Sequence, residues 1–108
     1  MFRLHNNSVR ENRSVSADGR VALCAARHVR VSLHQAGVVW IDLDRGKVFS
    51  SNRVGAIIWN GVVERWSLDR VADSISKEFA ISAESARADA DEYLTRLVAE
   101  GLLTASDN

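Results

Sequence analysis

Proline is absent from this 108-residue sequence, and cysteine occurs once. No turn therefore relies on a pyrrolidine ring, and a lone Cys24 excludes an internal disulfide and any multi-cysteine metal site. Histidine is scarce as well. His5, His28 and His34 form no H-x-x-x-H pair and no Cys/His cluster, so a metal site is not indicated. No apolar run approaches the ~20 residues of a membrane span. The N-terminal MFRLHNNSVRENRS is basic but has no apolar core of its own, so it is not a secretory signal. The glycines fit neither G-x-x-x-x-G-K-[ST] nor G-x-G-x-x-G, which removes the common phosphate cradles. These absences together predict a cytoplasmic chain with no bound cofactor and no membrane partner.

What is present suits one small domain. Hydrophobic residues make up 46% and charged residues 26%, ordinary values for a globular protein. Formal net charge is zero, but its sign is unevenly spread. Residues 1–36 hold six arginines against Glu11 and Asp18, a net +4, and residues 37–108 balance this at −4. A solvated basic tail on an acidic domain accounts for this; contact between the tail and an acidic partner is the competing account.

Residues 1–19 are polar and without period, and are expected to be disordered or loosely attached. RVALCAA, Arg20 to Ala26, is apolar enough for a strand or for a segment that covers another element. From His28 the signals sharpen. Val29, Val31 and Leu33 alternate with polar residues at the period of a half-buried strand. Gln35-Ala36-Gly37 makes a turn, and Gly37 to Leu43 a second strand with Val38, Trp40 and Asp42 on one face and Val39, Ile41 and Leu43 on the other. Asp44-Arg45-Gly46 suits a short hairpin loop, with solvated aspartates beside it and Gly46 supplying a positive φ. Lys47 to Ser51 is the third strand of an antiparallel meander. Val48 is expected to face the core, with Phe49 on the outer face or turned toward a groove.

Three helices follow. Asn52, Ser67 and Ser82 are placed as N-caps. Behind them run the apolar stripes Val54, Ile57, Ile58, Val62; then Leu68, Val71, Ala72, Ile75, Phe79; then Ala86, Ala90, Tyr93, Leu94, Leu97, Val98. Gly101 ends the last helix, and Leu102-Leu103 folds back as an apolar tail. The predicted fold is α+β and winged-helix-like, a three-stranded antiparallel sheet followed by three helices. Residues 1–27 would be an extension, partly disordered or an extra strand; 28–104 the domain; 105–108 a tail.

Catalytic chemistry is hard to find. Asp42 and Asp44 border a turn, where paired aspartates are common without function. Cys24 has no histidine near it in sequence and reads as a packed thiol. Trp40, Trp59 and Trp66 are spread over separate elements and read as packing residues. The chain is therefore expected to bind rather than to catalyse.

Two binding functions compete. The short Phe79–Ser82 connection suits a helix-turn-helix, hence a winged-helix DNA-binding regulator. Its recognition helix, however, would carry Glu84, Asp89, Asp91, Glu92 and Glu100 against Arg87 and Arg96, a net −3 that repels phosphates. No nucleic-acid partner is expected. The alternative uses the last meander strand as an open sheet edge, to which a peptide adds as a further strand. Against it stands a protected edge, with Lys47 placed to discourage pairing.

At this point the residues resemble a family. The hairpin DLDRGKVF, the run SNRVGAIIW, the helix SLDRVADSI, the turn EFAIS and a last helix of the form D-x-x-x-x-L-x-x-L-x-x-x-G-L-L are together similar to the PqqD-like family. These are leader-peptide recognition domains of ribosomally made, post-translationally modified peptide pathways. The resemblance runs from His28 to Leu103, about 70% of the chain. It departs from the family at VVERWSL, where an Asp-Gly pair is frequent, and in the extra N-terminal residues.

The resemblance implies a non-catalytic domain that binds the leader of a precursor peptide along Lys47, Val48, Phe49, Ser50 and Ser51. The groove would be closed by Asp89, Tyr93, Arg96 and Leu97 of the last helix. Tyr93 is either part of a pocket for an apolar leader anchor or an ordinary core residue, and Arg96 or Lys47 would meet an acidic leader residue. The style is closest to the discrete leader-binding proteins of lasso-peptide pathways, whose partners would be a leader peptidase and a cyclase. A radical-SAM maturase is the next partner implied.

Overall fold

The computed structural model describes residues 22–105. The expectation for residues 1–19 lies outside them. Element order is β1 (Leu23–Ala25), β2 (Val29–Leu33), β3 (Val38–Asp42), β4 (Lys47–Ser51), α1 (Arg53–Glu64), α2 (Leu68–Phe79), α3 (Ala83–Ala99) and β5 (Leu103–Ala105). The meander forms as expected, a three-stranded antiparallel sheet in the order β2-β3-β4. RVALCAA contributes a strand. β1 pairs antiparallel with β5, the apolar tail, with Ala25 opposite Leu103.

Local chemistry sets the boundaries. Asn52 accepts from the amides of Val54 and Gly55, Ser67 from Arg70 and Ser82 from Ser85, so each expected N-cap satisfies amides that the helix leaves unpaired. Gly46 and Gly101 take positive φ at the hairpin tip and after α3. The α2–α3 turn is closed by the Ile81 amide donating to Ser76 O and by the Ser76 hydroxyl donating to Ile81 O at 2.6 Å.

The core lies between the sheet and the helices. Trp40 of β3 and Trp59 of α1 meet edge to face, ring centroids 5.3 Å apart. Ile58, Val71, Ile75, Leu94 and Leu102 are buried around them. Gly61 lets α2 approach α1, since a Cβ there would meet the Val71 side chain.

Four expectations need correction. Val48 is 66% exposed and points away from the helices, whereas Phe49 packs against the core. The register explains it: Phe49 lies opposite Trp40, and Val48 opposite outward-facing Ile41. Phe79 is 40% exposed, because it is the last residue of α2 and the chain turns away at Ala80 (φ 56°). Val98 is 43% exposed; it falls about a quarter-turn from the centre of the α3 stripe. Asp42, expected to be solvated, is fully buried.

Candidate functional site

β4 is an edge of its sheet, and the hydrogen-bond parity says which of its groups are open. His34 and Gly37 exchange both main-chain bonds at the β2–β3 turn. Bonded and non-bonded pairs alternate along an antiparallel ladder, so Val39 and Ile41 turn their amides and carbonyls to β2. Leu43 donating to His28 O at 2.9 Å continues that parity. Val38, Trp40 and Asp42 then bond β4, through Ser51, Phe49 and Lys47 opposite them. Val48 and Ser50 are left with their N–H and C=O groups facing outward along the edge.

Beside this edge runs a groove of about 470 Å³ between β4 and α3. Phe49, Ser50 and Ser51 line one side; Asp89, Tyr93, Arg96 and Leu97 line the other. Seven of the nine residues expected at the site therefore meet there. Lys47 and Val48 do not line it, because the side chain of Val48 faces away while its main chain forms the edge. Trp40 and Leu102 complete the lining from below, and Asn52 and Val54 at its end. The indole N–H of Trp40 is buried with no acceptor among the described residues.

Glu92 and Glu100 also line the groove and were not singled out from sequence. Helical spacing would have found them: positions 89, 92, 93, 96, 97 and 100 fall on one face of α3.

The groove is held at both ends. At one, the Tyr93 hydroxyl donates to the Ser51 hydroxyl. Gly55 makes room, since a Cβ there would collide with both groups. At the other end the Arg45 guanidinium donates to the Glu100 carbonyl at 2.5 Å and to Asp42 at 2.7 Å. The Asp42 carboxylate also accepts from the amides of Asp44 and Arg45, each at 3.0 Å. Burial alone would raise its pKa; the Arg45 amide and guanidinium and nearby His28 outweigh this and hold it below the usual value. Asp42 is thus the internal anchor of the β3–β4 hairpin.

A second recess of about 660 Å³ is lined by Leu33, Ile57 and Trp66 among others. No residue of β4 lines it. Its rim charges Arg53 and Glu78 are paired with each other at 2.8 Å. Among the described residues no group of His, Cys, Asp and Glu could hold a metal ion, and no helix is long and apolar enough to cross a membrane.

Comparison with known proteins agrees with this architecture. The family model described as coenzyme PQQ synthesis protein D (PqqD) matches residues 37–103. A solved structure of TbiB1 in complex with the TbiA(beta) leader peptide superposes with a TM-score of 0.67 at 23% identity, covering 78% of this chain and 98% of that one. A lasso peptide synthetase B1 complexed with the leader peptide gives 0.71 at 20% identity, covering 78% and 99%. No curated protein matches the chain. At these identities the structural likeness establishes the shared fold.

Proposed function

The chain belongs to the PqqD family, whose model spans more than half of it, and from that premise we propose that it binds the leader segment of a ribosomally made precursor peptide. The observation that carries this reading is the open β4 edge, with the outward amides and carbonyls of Val48 and Ser50 facing a preformed groove. A leader adds there as a fourth strand. Main-chain bonds supply affinity, and alternate side chains enter the groove. Two proteins of the same fold were captured as leader-peptide complexes, which supports the reading.

The domain performs no chemistry of its own. It holds the leader so that the rest of the precursor reaches a partner in the cytoplasm, a leader peptidase acting with a cyclase in a lasso-type pathway. A radical-SAM maturase would use the same docking mode. Duplex DNA is disfavoured because α3, the helix that would enter a groove, carries an acidic face.

The test is a titration of a labelled leader peptide of a lasso-type precursor, in parallel with a labelled DNA duplex. The reading predicts saturable leader binding without turnover and no tight duplex binding. Salt-sensitive duplex binding with no leader binding would overturn it.

A further inference from the structure

α3 runs antiparallel to β4 across the groove. Glu100 lies at the hairpin end, where Arg45 holds its carbonyl. Tyr93 lies at the opposite end, bonded to Ser51. Asp89 and Glu92 therefore stand beyond Phe49, at the Ser51 end of the edge strand.

The charges at the two ends differ. At the hairpin end Arg45 holds the Glu100 carbonyl, and Lys47 is the first residue of β4. At the Ser51 end Asp89 and Glu92 are exposed and make no ion pair with another described residue. Arg53, the cation at the start of α1, is committed to Glu78 and to the Gln35 carbonyl. Arg96 lies one turn further along α3, toward the hairpin. A strand lying on β4 would therefore pass from an apolar floor at Phe49 and Leu97 to a rim of two carboxylates. Trp40, whose buried indole N–H finds no acceptor among the described residues, belongs to the same lining.

We propose that Asp89 and Glu92 are specificity-determining residues, selecting peptides that carry a lysine or arginine near an apolar anchor. This rests on the strand-addition reading above. In an extended peptide every second side chain enters the groove, and such residues lie about 7 Å apart. With the anchor on Phe49 and Leu97, the next inward side chain falls beside Ser51, under Asp89 and Glu92. A cationic side chain there gains two exposed carboxylates that make no ion pair with a described residue. An acidic one, the choice expected from Lys47 and Arg96 in sequence, is repelled.

The test starts from a displayed library of random twelve-residue peptides selected against the wild-type protein, with Val48→Pro as the edge-blocked control. Peptides lost with Val48→Pro should be enriched in Lys or Arg two positions from an aromatic or aliphatic residue. A synthetic peptide from this pool should bind about fivefold to tenfold more tightly than its norleucine counterpart at low salt. Asp89→Asn with Glu92→Gln should shrink that difference to less than about twofold. Edge-dependent peptides with no cationic preference, or a preference that survives neutralisation, would overturn this inference and leave leader binding standing. If no enriched peptide depends on the edge, both readings fall.

Discussion

The Tyr93 hydroxyl donates to the Ser51 hydroxyl, tying the middle of α3 to the last residue of the edge strand. Forty-two residues separate them in the chain. With the Arg45 contact to the Glu100 carbonyl at the other end, this bond ties α3 to the β3–β4 hairpin across the groove. Tyr93→Phe keeps the ring and removes the tie. It should cost about 1 kcal/mol of stability, the usual net value of such a bond, and weaken leader binding by loosening one wall. Urea unfolding and a leader titration on the same variant check both effects.

Gly55 is required by the same contact, because a methyl group there meets Ser51 and Tyr93. Gly55→Ala should destabilise by about 1–3 kcal/mol through overpacking, despite alanine's better helix propensity. An unchanged or raised melting temperature would show that the wall gives way freely.

Asp42 gives the hairpin a pH dependence of predictable sign. Its carboxyl is held below the ordinary aspartate value of 3.8 in the folded state. Its contribution is therefore complete above that value and is lost as pH falls through the lower native one. Asp42→Asn keeps an acceptor for the Asp44 and Arg45 amides but loses the charge. The variant should be less stable than wild type at neutral pH, and the gap should close in acid. Urea midpoints for both proteins from neutral pH down to about pH 2 test this; a gap that widens in acid would contradict it.

Phe79 and Ile75 separate surface from core on one helix. Ile75 is fully buried, and Ile75→Ala should cost about 2–5 kcal/mol. Phe79, partly exposed at the end of α2, should cost only about 1–2 kcal/mol when cut to alanine. Equal losses would mean that the ring is covered in solution.

The elements that local chemistry defines were legible in the sequence. Asn52, Ser67, Ser82, Gly46 and Gly101 each mark a boundary through a bond or a backbone angle that neighbouring residues determine. Most of the groove was legible as well, since the resemblance placed β4 against Tyr93 and Leu97. What was not legible depends on partners distant in the chain. The faces of Val48 and Phe49 follow from the pairing of Phe49 with Trp40, and both alternations fit a half-buried strand equally well. Asp42 is a turn aspartate, accepting from the amides of Asp44 and Arg45, but its complete burial and the approach of His28 from β2's end have no local signal. The apolar character of the β1 and β5 segments was visible, but their pairing joins residues about eighty apart and has no local signal.

The central claim is that binding is made through the main chain of β4, and Val48 tests it most directly. Its side chain points to solvent while its amide faces the open edge, so the two contributions separate cleanly. Val48→Ala keeps the donor and should leave leader affinity within about twofold of wild type. Val48→Pro removes it at a position where an edge strand tolerates proline. It should keep the native circular dichroism and cooperative unfolding while losing about tenfold or more in leader affinity. A folded Val48→Pro variant that binds the leader as tightly as wild type would contradict the account.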